Sequence, residues 1–217
     1  MEDSVIVKHK LTKRQLRYLH MKRVIGLILS CGAIVILSPL LLLLCMAIKI
    51  DSPGPILFKQ KRVGKDKKLF DIYKFRTMRI DAPKDMPTHM LTKPDQYITR
   101  IGKFLRKTSL DELPQLFNIV KGDMYIVSSR PSLWNQYDLI AERDRYGVHE
   151  IAPGLTGWAQ INGRDELEIA VKARYDGEYI QQMSFLFDCK CIIKTLTSVV
   201  GHKGVVEGGT GTINKEK

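Results

Sequence analysis

Histidine and cysteine, the side chains that most often hold transition metals, are scarce here: five and four among 217 residues. His9, His20, His89, His149 and His202 are scattered, and no spacing among them suggests a metal site. Cys31 and Cys45 fall inside an apolar run, while Cys189 and Cys191 stand one residue apart with no second Cys/His pair at zinc-finger spacing. Such a set is a poor disulfide framework, so the thiols are expected to stay reduced. Also missing are a GK[ST] phosphate loop, the glycine fingerprint of dinucleotide-binding folds and the G-x-S-x-G elbow of serine hydrolases. No helix-turn-helix, zinc-finger or RNP signature points to a nucleic-acid binder. Internal repeats and low-complexity stretches are absent as well.

What the chain has in excess is positive charge. Lys and Arg total 35 against 23 Asp and Glu, a net +12 that suits an anionic partner: nucleic acid, an acidic membrane surface or a phosphorylated substrate. Charge alone does not choose among them, but the basic residues are spread along the chain rather than gathered in one segment.

Residues 24–48 carry no charge, and Lys22, Arg23 and Lys49 flank them. A straight helix of that length runs about 37 Å, against a hydrocarbon core of about 30 Å. The run is too long for the apolar core of a secretory signal, and no small-residue cleavage site follows it. It is expected to enter a membrane. Ser38 and Pro39 lie just past its middle, where proline removes a backbone donor and kinks or breaks a helix. Lys and Arg mark the cytoplasmic side, and here they crowd both flanks, from Lys8 to Arg23 and from Lys49 to Lys68. A bent helix entering and leaving by one leaflet satisfies both features. A tilted spanning helix with a proline kink is the alternative.

Beyond the run, the sequence DSPGP from Asp51 signals a turn. Strands are predicted at 56–59 and 69–75 around a hairpin turn at 63–67, and the proline-bearing stretch 81–94 reads as a loop. Two stretches have helical periodicity with basic residues beside an apolar face. In 97–107 the face is Ile98, Ile101 and Leu105; in 185–200 it is Phe185, Cys189, Ile192, Ile193, Leu196 and Val199. Such helices lie in a membrane interface or pack on their own core.

Two segments carry candidate chemistry. SLDELPQLFN from Ser109 places adjacent carboxylates, Asp111 and Glu112, at a predicted helix start. One reading is structural: Ser109 and Glu112 have the spacing of a capping box, and acids in a first turn complement the helix dipole. The other is chemical. A carboxylate can attack phosphorus and hold a phosphoryl group covalently, given Mg²⁺ and fixed cations such as Arg76, Arg130 and Arg164 to neutralise phosphate oxygens. PGLTGWAQINGRD from Pro153 sets Gly154, Gly157 and Gly163 around Trp158, Gln160, Asn162 and Arg164. It suits either a phosphate- or base-binding loop or a tight turn over a buried tryptophan.

These motifs, with QKRVG from Gln60, YKFRTM from Tyr73, KGDM from Lys121 and the Arg130–Pro131 pair, fall in an order that resembles the monotopic phosphoglycosyl transferases, also called bacterial sugar transferases. The resemblance covers roughly residues 20–205, and the length is similar to the small, single-module members. It implies an α/β fold, mostly α. A basic arm (1–20) precedes a re-entrant membrane helix hairpin (21–50), broken at Ser38 and Pro39. A compact cytoplasmic catalytic domain (51–205) follows, with interfacial amphipathic helices and a small β-hairpin or sheet, and then a flexible tail (206–217).

The same resemblance implies the chemistry. Asp111 is the nucleophile toward the β-phosphate of a UDP-sugar, releasing UMP, and polyprenyl phosphate then takes the sugar phosphate from the aspartate. Glu112 completes the dyad as a Mg²⁺ ligand with Asp111 or as a base, and Arg164, Arg130, Arg76, Arg62 and Gln60 bind phosphate or substrate. Partners are the UDP-sugar, polyprenyl phosphate and membrane lipids, with no nucleic acid. A homodimer and downstream glycosyltransferases stay open, as do the sugar and the glycan pathway. The expected location is the bacterial inner membrane, with the domain on its cytoplasmic face. Two departures stand out: Ser128 and Ser129 replace the family's usual Gly-Pro, and Tyr125 replaces a small residue. They leave open an inactive family member that serves as a scaffold.

Overall fold

The computed structural model describes residues 11–83, 94–163 and 167–200. The first ten residues, most of the loop expected at 81–94, Arg164 and the tail expected at 206–217 lie outside these.

A single helix, α1 (Lys13–Asp51), opens the fold. It starts at Lys13 rather than at residue 21, because Thr12 and Gln15 form a capping box: Gln15 N–H donates to the Thr12 hydroxyl at 3.2 Å, and Thr12 N–H to Gln15 Oε1 at 2.9 Å. It ends where Ser52 turns extended before Pro53. The break expected at Ser38 and Pro39 is corrected by the structure, since the helix continues through Pro39. The local reason is a hydrogen-bond replacement. A residue at 39 would normally donate its N–H to the carbonyl of Val35, which proline cannot do. The Ser38 hydroxyl donates to that carbonyl at 2.8 Å. The orphan acceptor is satisfied, which lowers the cost of carrying a proline inside the helix.

Both ends of α1 join the protein core while its middle does not. Leu19 packs with Val127, Val148, Tyr179, Ile180 and Met183. Leu44 and Ile48 pack with Phe75 and Leu105. Between them Val35 and Ile36 are 71% and 78% exposed. This apolar, uncovered stretch is long and apolar enough to cross a membrane.

The hairpin expected after the anchor forms: β1 (Leu57–Val63) pairs antiparallel with β2 (Leu69–Phe75), in register from Leu57 opposite Phe75 to Val63 opposite Leu69. β1 runs further than predicted. Helix α2 (Arg100–Thr108) is capped by the Thr99 hydroxyl, which accepts from Gly102 N–H at 2.9 Å. A single turn, Leu110–Glu112, leads into α3 (Gln115–Lys121). Strand β3 (Tyr125–Val127), helix α4 (Tyr137–Arg145), strand β4 (Gly154–Thr156) and the short α5 (Trp158–Ile161) follow. β3 and β4 pair in parallel, a contact with no local signal in the sequence.

The chain described ends with α6 (Ile169–Gln182) and α7 (Phe185–Val200). α7 turns Asp188 and Cys191 inward and leaves Phe185, Leu186, Ile193 and Leu196 exposed. Of the apolar face read from the sequence, Phe185, Ile193 and Leu196 are thus uncovered. The inward side meets α1 through polar groups. Lys22 pairs with Asp188 at 2.7 Å and donates to the Tyr179 hydroxyl, and Tyr18 and Tyr179 each donate to Asp188, at 2.7 and 2.6 Å.

Candidate active site

The turn carrying the two carboxylates is set by α2 and α3. Ser109 ends α2 in a left-handed conformation (φ 56°), and Pro114 starts the next helix. The capping box expected between Ser109 and Glu112 does not form: Ser109 makes no side-chain cap bond, and Glu112 N–H donates to the Ser109 carbonyl instead. The Glu112 side chain is directed elsewhere, to two cations. Lys74 Nζ, from β2, and Arg130 Nη2, from the loop after β3, lie 2.8 and 2.7 Å from its Oε1, and Arg130 Nη1 lies 3.4 Å from Oε2.

Burial alone would push the Glu112 carboxyl up in pKa, but Arg130 and Lys74 outweigh it and hold the group well below the usual carboxylate range. Asp111 behaves oppositely. Burial raises its pKa, Lys74 pulls it down, Glu112 pushes it up, and Arg106 and Arg130 lower it; the net shift is upward. Among the described residues, no hydrogen bond ends on the Asp111 carboxylate. Adjacent acids have thus been driven apart, one fixed as an anion by two cations and one left open in the same positive field.

Arg130, expected to bind phosphate or substrate, thus lies against Glu112. Gln60 and Arg62 brace it from outside: Arg62 donates to Gln60 Oε1 at 2.7 Å and to the Pro131 carbonyl at 3.1 Å. Val63 N–H donates to the Ser132 carbonyl at 3.0 Å, fastening the same loop to β1. Arg76, expected to bind phosphate, is buried and faces the end of the anchor. It donates to the Ser52 carbonyl at 2.7 Å, to the Ser52 hydroxyl at 2.9 Å and to the Pro53 carbonyl. Three acceptors in one turn make it a clamp on the α1 terminus. Arg164 lies outside the described residues.

Lys74 and Arg106 were not singled out as site residues from the sequence. Lys74 lies in the YKFRTM segment, which drew attention as a motif, but nothing local marks it as a partner of Glu112. Arg106 donates to the Thr77 hydroxyl at 2.9 Å while its charge acts on Asp111.

In the segment from Pro153, Trp158 is a packing residue: its Nε1–H donates to Glu178 at 3.0 Å and its ring lies 4.9 Å from that of Phe187. Gly154 and Gly157 let the backbone pass close to Ser128. A Cβ on Gly154 would stand 2.2 Å from Ser128 N, and one on Gly157 1.9 Å from Ser128 O. Ser128 N–H donates to the Thr156 carbonyl at 2.8 Å, and Gly154 N–H to the Ser129 carbonyl at 2.8 Å. The two serines that replace Gly-Pro therefore continue the β3–β4 pairing up to Arg130.

Among the described residues, no group of three or more His, Cys, Asp or Glu is gathered as for a metal. Asp111 and Glu112 offer two carboxylates of hard oxygen-ligand type.

Comparison with known proteins places the chain among sugar-phosphate transferases by similarity. The sequence is 37% identical over 189 residues to the UDP-glucose:undecaprenyl-phosphate glucose-1-phosphate transferase of Escherichia coli K12, covering 81% of this chain and 39% of that protein. It is 40% identical over 184 residues to the protein of the same name from Xanthomonas campestris, covering 81% of this chain and 38% of that one. The chain thus spans about two-fifths of the length of these curated relatives. It matches the exopolysaccharide production protein PSS of Rhizobium leguminosarum at 38% identity over 82% of this chain and 94% of that protein. The bacterial sugar transferase profile matches residues 17–202, and the chain belongs to that family.

Proposed function

We propose that this protein transfers a sugar 1-phosphate from a UDP-sugar to a polyprenyl phosphate, undecaprenyl phosphate, releasing UMP as the first membrane step of a glycan's assembly. The observation that carries the reading is the Asp111 carboxylate, half-buried, unengaged by hydrogen bonds among the described residues and set in the field of Lys74, Arg106 and Arg130. A carboxylate so placed suits attack on phosphorus. In the first half-reaction an Asp111 oxygen bonds to the β-phosphorus of the donor, the bond from that phosphorus to the bridging oxygen breaks, and its electron pair leaves with UMP. In the second, an oxygen of the lipid phosphate attacks the same phosphorus. The Asp111–phosphorus bond breaks and its electrons return to the carboxylate, giving polyprenyl diphosphate sugar. Glu112 holds Lys74 and Arg130 beside that centre, where their charge meets the phosphate oxygens.

The donor set fits Mg²⁺, which binds one or two carboxylates together with substrate phosphates. Asp111, and the Glu112 oxygen met by Arg130 only at 3.4 Å, would hold it, and it would neutralise charge on the diphosphate.

The membrane reading is supported by the exposed apolar middle of α1 and by the uncovered Phe104, Phe185, Leu186, Ile193 and Leu196 of α2 and α7. Because one folded body packs on both ends of α1, the anchor would enter and leave by the cytoplasmic face of the inner membrane, bending rather than breaking at Pro39. A lipid phosphate at headgroup level and a soluble nucleotide sugar would meet at the dyad, and the net +12 charge favours both anions.

UMP release from a panel of UDP-sugars, with Mg²⁺ and undecaprenyl phosphate, tests the reading. Asp111→Asn is expected to abolish turnover and leave the fold intact. A wild-type protein that releases no UMP from any donor overturns the reading, and substantial turnover by Asp111→Asn removes Asp111 as nucleophile.

A further inference from the structure

Behind the dyad lies a buried ion pair that the chemistry above does not touch. Arg143 on α4 and Asp176 on α6 are 2% and 0% exposed. Arg143 Nε and Nη2 lie 2.8 and 2.6 Å from Asp176 Oδ2. The remaining arm of the fork, Nη1, donates to the backbone carbonyl of Arg130 at 2.9 Å. Arg130 in turn directs its own guanidinium to Glu112.

We propose, resting on the transferase reading above, that Arg143 and Asp176 form a positioning pair whose task is to hold Arg130 against Glu112. The segment that carries Arg130 has no regular structure between Ser129 and Ser132, and the β3–β4 bonding reaches only the Ser129 carbonyl, through Gly154 N–H. Past that point, among the described residues, it is fastened from two sides. Arg62 and Val63 bind the carbonyls of Pro131 and Ser132 from the hairpin side, and Arg143 binds the carbonyl of Arg130 from the helical side. Removing the second fastening frees the residue whose side chain neutralises Glu112.

Two observations favour positioning over a purely structural role. A buried ion pair is a weak source of net stability, because desolvation offsets the attraction, so stability alone gives little reason for it. Nor does Arg143 bond Glu112 directly: among the described residues its guanidinium meets the Asp176 carboxylate and the Arg130 carbonyl. Its influence on the dyad runs through Arg130. A planar guanidinium is suited to this, since one fork bonds the carboxylate with two nitrogens and the carbonyl with the third. The charged groups acting on Asp176 are Arg143, Lys172 and His149, and Asp144, beside Arg143 on α4, is engaged by Lys67 and His149.

The test replaces the whole pair, in Arg143→Met/Asp176→Leu, so that no unpaired charge is left buried; apolar substitution of similar volume is often neutral for folding. Three quantities are read on the full chain in lipid: thermal unfolding, steady-state UMP release, and the Nε–H resonance of Arg130 by ¹⁵N NMR, assigned with Arg130→Lys. The expected result is a folded variant whose kcat falls by about 10- to 100-fold, as for other outer-shell partners of a site, while KM moves little. The Arg130 Nε–H resonance is expected to move from its wild-type position as the pairing with Glu112 loosens. A folded variant with wild-type kcat and an unmoved Arg130 resonance overturns the proposal. If the double variant does not fold, Arg143→Lys, which keeps the charge and loses the fork, decides by the same readings. A wild type that releases no UMP sinks the transferase reading, while the Arg130 resonance still decides whether the pair positions Arg130.

Discussion

Asp111 and Glu112 are consecutive in the chain, yet their surroundings assign them opposite characters. Glu112, 22% exposed, lies in contact with Lys74 and Arg130, and both favour its anion. Asp111 feels the same cations at longer range and is dominated by burial and by its neighbour's charge. The signs give a pH prediction. A depressed Glu112 favours the folded state at neutral pH, and this contribution is lost as pH falls through its folded value. A raised Asp111 contributes in the opposite sense, since it binds its proton more readily folded than unfolded. For catalysis Asp111 must be ionised, so UMP release should decline on the acid side with an apparent pKa above that of an ordinary carboxylate; the value belongs to the pair. Lys74→Met removes a cation that lowers both groups. It should shift that acid limb to higher pH and cut kcat on the order of 10²-fold, the scale for losing one fixed electrostatic partner. A kcat–pH profile that superimposes on the wild type would remove Lys74 from the machinery. The dyad and Arg130 were legible in the sequence because local motifs carry them. Lys74 was not recognised as Glu112's partner, because 38 residues separate the two and only the packing of the hairpin on the Leu110–Glu112 turn joins them.

Among the elements, the boundary between anchor and hairpin shows how one residue type admits two roles. Arginine matches phosphate geometry, and Arg76 lies in a motif between the anchor and the dyad, so substrate binding was a reasonable expectation. The fold instead uses its donors to close the α1 terminus, where the carbonyls of Ser52 and Pro53 need partners after the helix ends. Sequence periodicity located α2, α7 and the hairpin, and the turn signal DSPGP located the end of α1. It could not assign the partner of each cation, since hydrogen bonds between distant segments leave no local pattern. The parallel β3–β4 pairing was missed for the same reason: two three-residue strands are too short to show alternation. Arg76→Met then discriminates between the roles. As a clamp, its loss leaves acceptors unsatisfied at about 1–3 kcal/mol each, lowering Tm by roughly 2–4 °C per kcal/mol. kcat and KM of the folded protein should barely change. A substrate-binding Arg76 would instead raise KM with Tm unmoved.

For the molecule as a whole, the question is how one body can pack on both ends of the apolar helix. The N-terminal turns of α1 are held by the Lys22–Asp188 pair and by Arg23, which donates to the carbonyls of Ile119 and Val120. The C-terminal turns are held through Leu44 and Ile48, and Asp51 accepts from Ile101 N–H at 3.1 Å. A straight spanning helix would carry its ends to opposite sides of the bilayer, so a single domain could reach only one of them. Packing at both ends, the basic flanks and the exposed middle are the features that support the arrangement proposed above, in which both flanks share one side of the membrane. Cysteine labelling reads this directly. In a background with Cys31, Cys45, Cys189 and Cys191 replaced by serine or alanine, Arg17→Cys and Asp66→Cys report the two flanks. Intact cells treated with a membrane-impermeant maleimide should leave both positions unlabelled, and permeabilised cells should label both. Labelling of one flank alone in intact cells would establish a spanning course. Pro39→Ala, which restores the missing donor at Val35, carries the companion expectation: a straighter α1, and a flank at Arg17 or Asp66 that becomes accessible from outside. Continued protection of both flanks in Pro39→Ala would mean that the tertiary clamps at the two ends of α1, rather than the proline, set its course.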